Sequence, residues 1–150
     1  MTRSRRAGRP RGQRGQSLVE FALVFPLFLL LLFGIVDGAR TVFAWNGASQ
    51  AARDVARVAA VNCLGGATPC TSGAIAAAQA VQAVQLPGGG TWAIACLDPG
   101  TLATVSGRPC KAGDLVSVSA STSISMLTPV VGQLVGPLTL TAVSRMEIVQ

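Results

Sequence analysis

The residue with the most unusual chemical setting in this chain is Glu20, a carboxylic acid inside a long apolar run. Leu18 to Val36 comprises 19 residues, and Glu20 is the only charged residue among them. A carboxylate at the centre of a membrane span costs about 2.5–3.5 kcal/mol on insertion scales. Glu20 lies near one end of the run, where it can reach the headgroups. It is therefore either a tolerated interfacial acid or an acid whose charge has a use in the membrane.

The chain has few residues of the types that carry out catalysis. The chain has no histidine and no tyrosine, so acid–base work would rest on six scattered carboxylates. Asp98, Asp114 and Glu147 are expected to be surface charges. The sequence contains no phosphate-binding loop, nucleophile elbow or dinucleotide fingerprint. We therefore expect no enzymatic activity and no cofactor.

Four cysteines, Cys63, Cys70, Cys96 and Cys110, all follow the apolar run. Four cysteines allow three disulfide connectivities. Proximity in the sequence favours Cys63 with Cys70 and Cys96 with Cys110. A zinc site is the alternative, but no Cys-x-x-Cys pair is present. We expect two disulfides, no metal, and an oxidising compartment for this part of the chain.

The apolar run has the length and composition of a membrane-spanning helix. As a helix, its 19 residues would measure about 28 Å, close to the thickness of a bilayer core. Pro26 lacks an amide hydrogen and predicts either a bend or a tolerated proline. Gly34 and Gly38 form a small-xxx-small pair that lets two helix backbones approach closely, although such pairs also occur by chance.

A basic tail precedes the span. Six arginines stand before Gly15, and the rest of the chain has six basic and six acidic residues, so it is neutral. Arginines can hold nucleic acid through its phosphates. Placed directly before a span, they more readily fix its orientation, with the N-terminus in the cytoplasm. We therefore expect a single-pass protein of the cytoplasmic membrane, with an extracytoplasmic body and no nucleic-acid partner.

Two local patterns resemble a known family. The run Gly15–Phe21 resembles the cleavage region of type IV prepilins. Over a wider stretch the chain resembles the TadE-like pseudopilins, minor pilins of the tight-adherence pilus system. The residues that carry this wider resemblance are Arg14-Gly15, Val19-Glu20-Phe21-Ala22-Leu23, Pro26, Gly34, Asp37 and the stretch Asn46 to Ala60.

The resemblance implies a processing site and a set of partners. A prepilin peptidase would cut after Gly15 and leave Gln16 as the first residue of the mature chain. Glu20 would then be the fifth residue, the acid that sets the register between adjacent helices in this family. The implied partners are the membrane, the peptidase, other pilins or pseudopilins, and the inner-membrane pilus assembly platform. The mature protein would be held in the inner membrane or enter the pilus.

Beyond the span, the sequence predicts that the helix continues to about Val61. Its polar face carries Asn46, Gln50, Arg53, Asp54 and Arg57, and its apolar face carries Ala44, Ala48, Ala51, Val55, Val58 and Ala59. Alanine also recurs at every fourth position from Ala44 to Ala60. Such a stripe allows tight helix–helix packing, or it simply reflects an alanine-rich chain.

The remaining residues predict a small α+β body. Ser72 is a candidate cap for a helix from Gly73 to Gln85, with Gln79, Gln82 and Gln85 on its wet side. Three strands are predicted at Thr91–Leu97, Asp114–Ser123 and Leu138–Val149. The apolar stretch Met126–Val135 is expected to form a short helix, packed on the sheet or on lipid.

We thus predict an α+β fold in three parts: a basic leader (1–15), a long helix (16–61, with the span at about 18–36) and an extracytoplasmic domain (62–150) that contains a second helix and a small antiparallel sheet. The predicted function is that of a TadE-like minor pilin. One alternative is a secreted binding domain cut at Val42-Phe43-Ala44, a small-residue pattern that suits a signal peptidase. Another is a membrane-anchored domain that is not cut and has no pilus role.

Overall fold

The computed structural model describes residues 13–65, 70, 72–128, 132–134 and 136–149. Two helices and three strands make up the fold: α1 (Gln13–Asn62), α2 (Gly73–Ala83), β1 (Thr91–Leu97), β2 (Leu115–Ile124) and β3 (Leu138–Glu147). A 3-10 turn, Pro87–Gly89, connects α2 to β1. The predicted α+β class is confirmed. Most of the predicted basic leader, residues 1–12, lies outside the described residues.

Helix α1 has two halves with different surroundings. Its most apolar 18-residue window has a mean hydropathy of 2.6, and none of that window is buried against the rest of the chain. The half that follows packs on α2, β2 and β3. The helix begins at Gln13, three residues before the predicted start at Gln16, and it continues through Pro26.

The small residues of the second half of α1 bring the helix close to the sheet. Ala48, Ala51 and Ala52 are fully buried in a cluster with Ala120 of β2 and Ala142 of β3. A second cluster, farther from the span, contains among others Val55, Ala56, Ala59, Ile75, Val116, Val118 and Ile148. The predicted polar and apolar faces of this half are confirmed. Within the described residues the alanine stripe packs on both the sheet and α2. Ala48 and Ala52 cluster with Ala120 and Ala142, and Ala56 and Ala60 cluster with Ile75 of α2.

The sheet is antiparallel, with β2 between β1 and β3. Residues along β2 alternate between the two faces of the sheet. Val116, Val118 and Ala120 are buried on the inner face, while Ser117 and Ser119 are partly exposed on the hydroxyl-rich outer face. Val118 pairs with Ile94 on one side and Ser144 on the other. The predicted strands are confirmed, with β2 shifted by one residue and β3 ending two residues earlier than expected.

Strand β2 runs antiparallel to α1, so its C-terminal end lies near the span and its N-terminal end lies near the far end of α1. Near the far end of α1, the N–H of Val149 donates to the carbonyl of Ala60 at 3.3 Å. Near the span, the N–H of Leu127 donates to the carboxylate of Asp37 at 2.9 Å. The connection between β2 and β3 therefore lies at the end of the body nearest the span.

Helix α2 begins at Gly73 as predicted and ends at Ala83, two residues before the predicted end at Gln85. The Ser72 side chain accepts a hydrogen bond from the N–H of Ile75 and caps the helix. Of the three residues predicted on its wet side, Gln85 is exposed, but Gln79 and Gln82 are partly buried while Val81 is exposed, so the prediction is correct only for Gln85. The reason is a tertiary contact, because the Gln82 amide donates to Asp54 of α1 at 3.2 Å.

Candidate membrane anchor and assembly site

The predicted cleavage residues lie in the first turns of α1. The helix runs through Gly15 and Gln16, and Gln16 is exposed, as is Glu20 one turn later. Gln16, Val19, Glu20 and Leu23 line one open stretch of helix surface together with Gly15. A side chain built at Gly15 would meet no heavy atom within 4 Å. The backbone at Gly15 is thus not covered by other described parts of the chain.

Glu20 lies on an apolar surface that the chain leaves uncovered. Its neighbours Leu18, Val19 and Phe21 are each more than half exposed. Within the described residues, no salt bridge reaches Glu20. Solvent, lipid headgroups, a new N-terminus or another chain are the candidate partners for its charge.

The residues proposed to shape the span lie on the part of α1 that the body does not cover. Gly34 and Gly38 are exposed, and a side chain built at either would meet nothing within 4 Å. Pro26 lies within the continuous helix. The Gly34–Gly38 face is thus open to lipid or to another helix.

Asp37, the first residue after the span, ties α1 to the body. It is 7 % exposed and accepts three hydrogen bonds from the chain that follows β2. The N–H of Leu127 donates at 2.9 Å, the N–H of Thr128 at 3.0 Å and the Thr128 hydroxyl at 2.7 Å. The bond from Leu127, with those from Thr128, lowers the pKa of Asp37 below 3.8 despite its burial. The carboxylate is therefore ionised at neutral pH.

Arg40 adds a weaker link at the same level. Its guanidinium lies 3.7 Å from the Asp37 carboxylate and donates to the carbonyl of Ser125 at 3.4 Å. The Arg40 side chain is 42 % exposed, so one side of it remains open to an outside partner. Asp37 and Arg40 together hold the end of β2 beside the outer end of the span.

The cysteines form two disulfides at the end of the body far from the span. Cys63 pairs with Cys70 and Cys96 with Cys110, closing sequence separations of 7 and 14 residues. The connectivity favoured by sequence proximity is confirmed. All four cysteines are therefore used, which leaves no thiol for the zinc site considered as an alternative. The described residues also contain no group of three or more Cys, Asp or Glu suited to a metal.

An ion pair near the second disulfide was not predicted from the sequence. Asp114 is buried, and Arg108 binds its carboxylate with two hydrogen bonds, at 2.6 and 2.8 Å. These bonds and the N–H of Lys111 lower the pKa of Asp114 to about 2. The prediction that Asp114 is a surface charge is wrong. The pair fixes the loop before β2. The two residues are six positions apart with Pro109 and Gly113 between them, a spacing that matches no recognised sequence motif.

The described residues therefore form one helix able by length and composition to cross a membrane, joined to a small disulfide-containing α+β body. This architecture is consistent with single-pass anchoring in a membrane. Residues 15–57 match the family model described as TadE-like protein, which confirms the resemblance over that stretch. Comparisons with curated proteins and with solved structures found no match.

Proposed function

We propose that this protein is a TadE-like minor pilin or pseudopilin that takes part in assembling a tight-adherence pilus or a related secretion apparatus. The observation that carries the proposal is the extent of the family match. The match begins at Gly15, the predicted last residue of the leader, and includes the acid-bearing span and most of the packed half of α1.

Glu20 is the residue that gives this function a physical mechanism. Cleavage after Gly15 would create an amine on Gln16, and this positive charge exists only on a mature chain. The two groups are about one turn apart on their own helix, and they can also meet between helices shifted along their axes. In a low-dielectric environment their attraction is stronger than in water, although it must first offset the desolvation of both groups. The exposed surface around Glu20 leaves room for such a neighbour.

The proposed partners follow from the same residues. The prepilin peptidase would act at Gly15, other pilins or pseudopilins would contact the uncovered span, and the inner-membrane assembly platform would receive the anchored protein. We place the N-terminus in the cytoplasm, because six arginines precede Gly15, and the body outside, because two disulfides need an oxidising compartment. We also propose that the protein is not an enzyme.

The secreted alternative has less support from the fold. Helix α1 is continuous through Val42-Phe43-Ala44, and Ala44 is buried. A cut after Ala44 would divide a helix whose next turns form the core of the body. An anchored binding domain that is never processed remains the second candidate.

Sequencing the N-terminus of protein purified from membranes separates these functions. A mature chain that begins at Gln16 is the expected result. A chain that begins at Trp45 would establish the secreted domain, and an intact leader would establish the unprocessed anchor. Either of those two results would overturn the pilin proposal.

A further inference from the structure

The connection between β2 and β3 is unusually apolar for a surface segment. Ser125–Pro137 is 13 residues long and contains no Asp, Glu, Lys or Arg, while six of its residues are Val, Leu or Met. Connections normally run through solvent and are rich in polar residues. Residues 129–131 and 135 of this connection lie outside the described residues.

Two described side chains of the connection are exposed although they are large and apolar. Leu127 is 54 % exposed and Leu134 is 82 % exposed. The segment around Leu134 is held by the N–H of Gly132, which donates to the carbonyl of Thr128 at 2.8 Å. The N–H of Gly136 donates in turn to the carbonyl of Gly132 at 3.0 Å. The short helical turn expected in this stretch is present at residues 132–134, and it does not bury Leu134.

Hydrogen bonds fix the level of this connection relative to the span. Asp37 directly follows Val36, the last residue of the apolar run, and it binds the N–H groups of Leu127 and Thr128. The polar layer of a bilayer is about 5–7 Å thick on each side of its hydrocarbon core. With the run inserted, the backbone of Leu127 lies within hydrogen-bonding distance of a residue at the border of that core.

The surface beside the connection is apolar too. A groove of about 460 Å³ lies between the first turns of α1 after the span and the body, lined by Val36, Ala39, Arg40, Phe43, Pro87 and Ile124. Phe43 is 73 % exposed. Arg40 follows Val36 by four residues, about 6 Å of helix, which places its exposed side at the level of lipid phosphates.

We propose that the described parts of this connection, residues 125–128 and 132–134, rest in the polar layer of the same bilayer that α1 spans, and so form a second membrane contact of the body. We infer that lipid contacts this surface, because the exposed apolar side chains of Leu127 and Leu134 belong to a connection that Asp37 holds next to the uncovered apolar surface of the span. The connection also brings no charge into that layer. With one contact at α1 and another at the connection, the body is held at a fixed tilt to the membrane. This inference depends on the insertion of α1, which is part of the proposed function.

Quenching of single introduced tryptophans by brominated lipids tests the proposal in the full-length protein. The protein is reconstituted into phosphatidylcholine vesicles with bromine near the top of the acyl chains, and the quenching of the parent chain is subtracted. The test variants are Leu127→Trp and Leu134→Trp. Val149→Trp is the matched control, because Val149 is also exposed and apolar but lies beside Ala60 at the far end of the body. Phe28→Trp reports insertion of the span.

The expected result is quenching of Leu127→Trp and Leu134→Trp well above that of Val149→Trp, unchanged when the protein is diluted in lipid. Quenching at Phe28→Trp, with both test variants equal to Val149→Trp, would overturn the second contact but leave the span inserted. No quenching at Phe28→Trp would overturn the insertion itself, and the inference with it. Test-variant emission that changes with the protein-to-lipid ratio would show that a second copy covers the connection, which also overturns the proposal.

Discussion

The carboxylate of Asp37 and the side chain of Thr128 are joined by a hydrogen bond of 2.7 Å, although 91 positions separate them in the sequence. The Thr128 N–H strengthens the link at 3.0 Å. Hydrogen bonds to an ionised acceptor are about twice as strong as neutral ones. This link joins the end of the apolar run in α1 to the end of β2, so a movement of α1 is transmitted to the body.

Replacing Asp37 should free the segment after β2 from α1. We expect Asp37→Ala to raise amide hydrogen exchange at Leu127 and Thr128 by roughly tenfold or more, since each loses a bond to a charged acceptor. Exchange in the core of β2, at Val118, should change little. Asp98→Ala is the matched control, because the described hydrogen bonds to the Asp98 carboxylate come from its own loop, from Gly100 and Thr101. Equal exchange at Thr128 in Asp37→Ala and wild type would contradict the link.

The two disulfides should stabilise the body unequally. In the chain-entropy model a bridge that closes 14 residues contributes about 3 kcal/mol, and one that closes 7 contributes about 2.4 kcal/mol. We therefore expect the double variant Cys96→Ser/Cys110→Ser to lose more stability than Cys63→Ser/Cys70→Ser. Guanidinium unfolding of each variant in detergent micelles measures both losses. The intact mass of the wild type should also be four hydrogens below that of the reduced chain, and four free thiols would refute both bridges.

Acid should destabilise the body through Asp114. Its pKa falls from 3.8 to about 2 on folding, so the unfolded chain takes up its proton more readily than the folded chain. The stabilisation is complete above 3.8 and is lost as the pH falls towards about 2. We expect Tm to fall over this interval, with a shallower fall in Asp114→Asn. Glu147→Gln, at an exposed acid on β3, is the control and should keep the wild-type slope. Equal slopes in wild type and Asp114→Asn would show that the Arg108 pair does not control acid stability.

Processing should depend on the absence of a side chain at Gly15. We expect Gly15→Val to remain full length in the membrane, still inserted by Leu18–Val36, because a peptidase pocket must admit the backbone at that point. Gly34→Val is the matched control, since neither glycine has a neighbour within 4 Å that a new Cβ would meet. Gel mobility and mass of the membrane fraction distinguish the two forms. Normal shortening of Gly15→Val would remove the prepilin assignment.

Assembly, and not folding, should depend on Glu20. We expect Glu20→Gln to insert and to be cleaved normally, since the change removes a charge that insertion disfavours. Its yield of cross-links to partner pilins should fall strongly, because a neutral amide cannot form an ion pair with the amine of a neighbouring mature chain. Glu147→Gln should cross-link like the wild type. A wild-type yield in Glu20→Gln, with cleavage intact, would show that Glu20 is only a tolerated interfacial acid.

Features set by nearby residues could be predicted from the sequence. The span follows from 19 consecutive residues with a single charge, and the inner face of β2 from the alternation of Val116, Val118 and Ala120 with serines. The Ser72 cap and the two disulfides join residues no more than 14 positions apart. In each case the physical cause acts over a short stretch of chain, and the residue types reveal it.

Features that depend on distant partners were decided only by the tertiary structure. The sequence places Asp37 at the end of the apolar run, but the residues next to it do not indicate that Thr128, 91 positions later, is its hydrogen-bond partner. Gln82 belongs to the polar positions of α2 by periodicity, yet it is turned inward because Asp54 of α1 accepts its amide hydrogen. The alanine stripe suits a helix or a sheet equally well, since small side chains permit any close approach. In the structure the stripe packs on the sheet and on α2 together, which buries a surface that the isolated helix would expose to water.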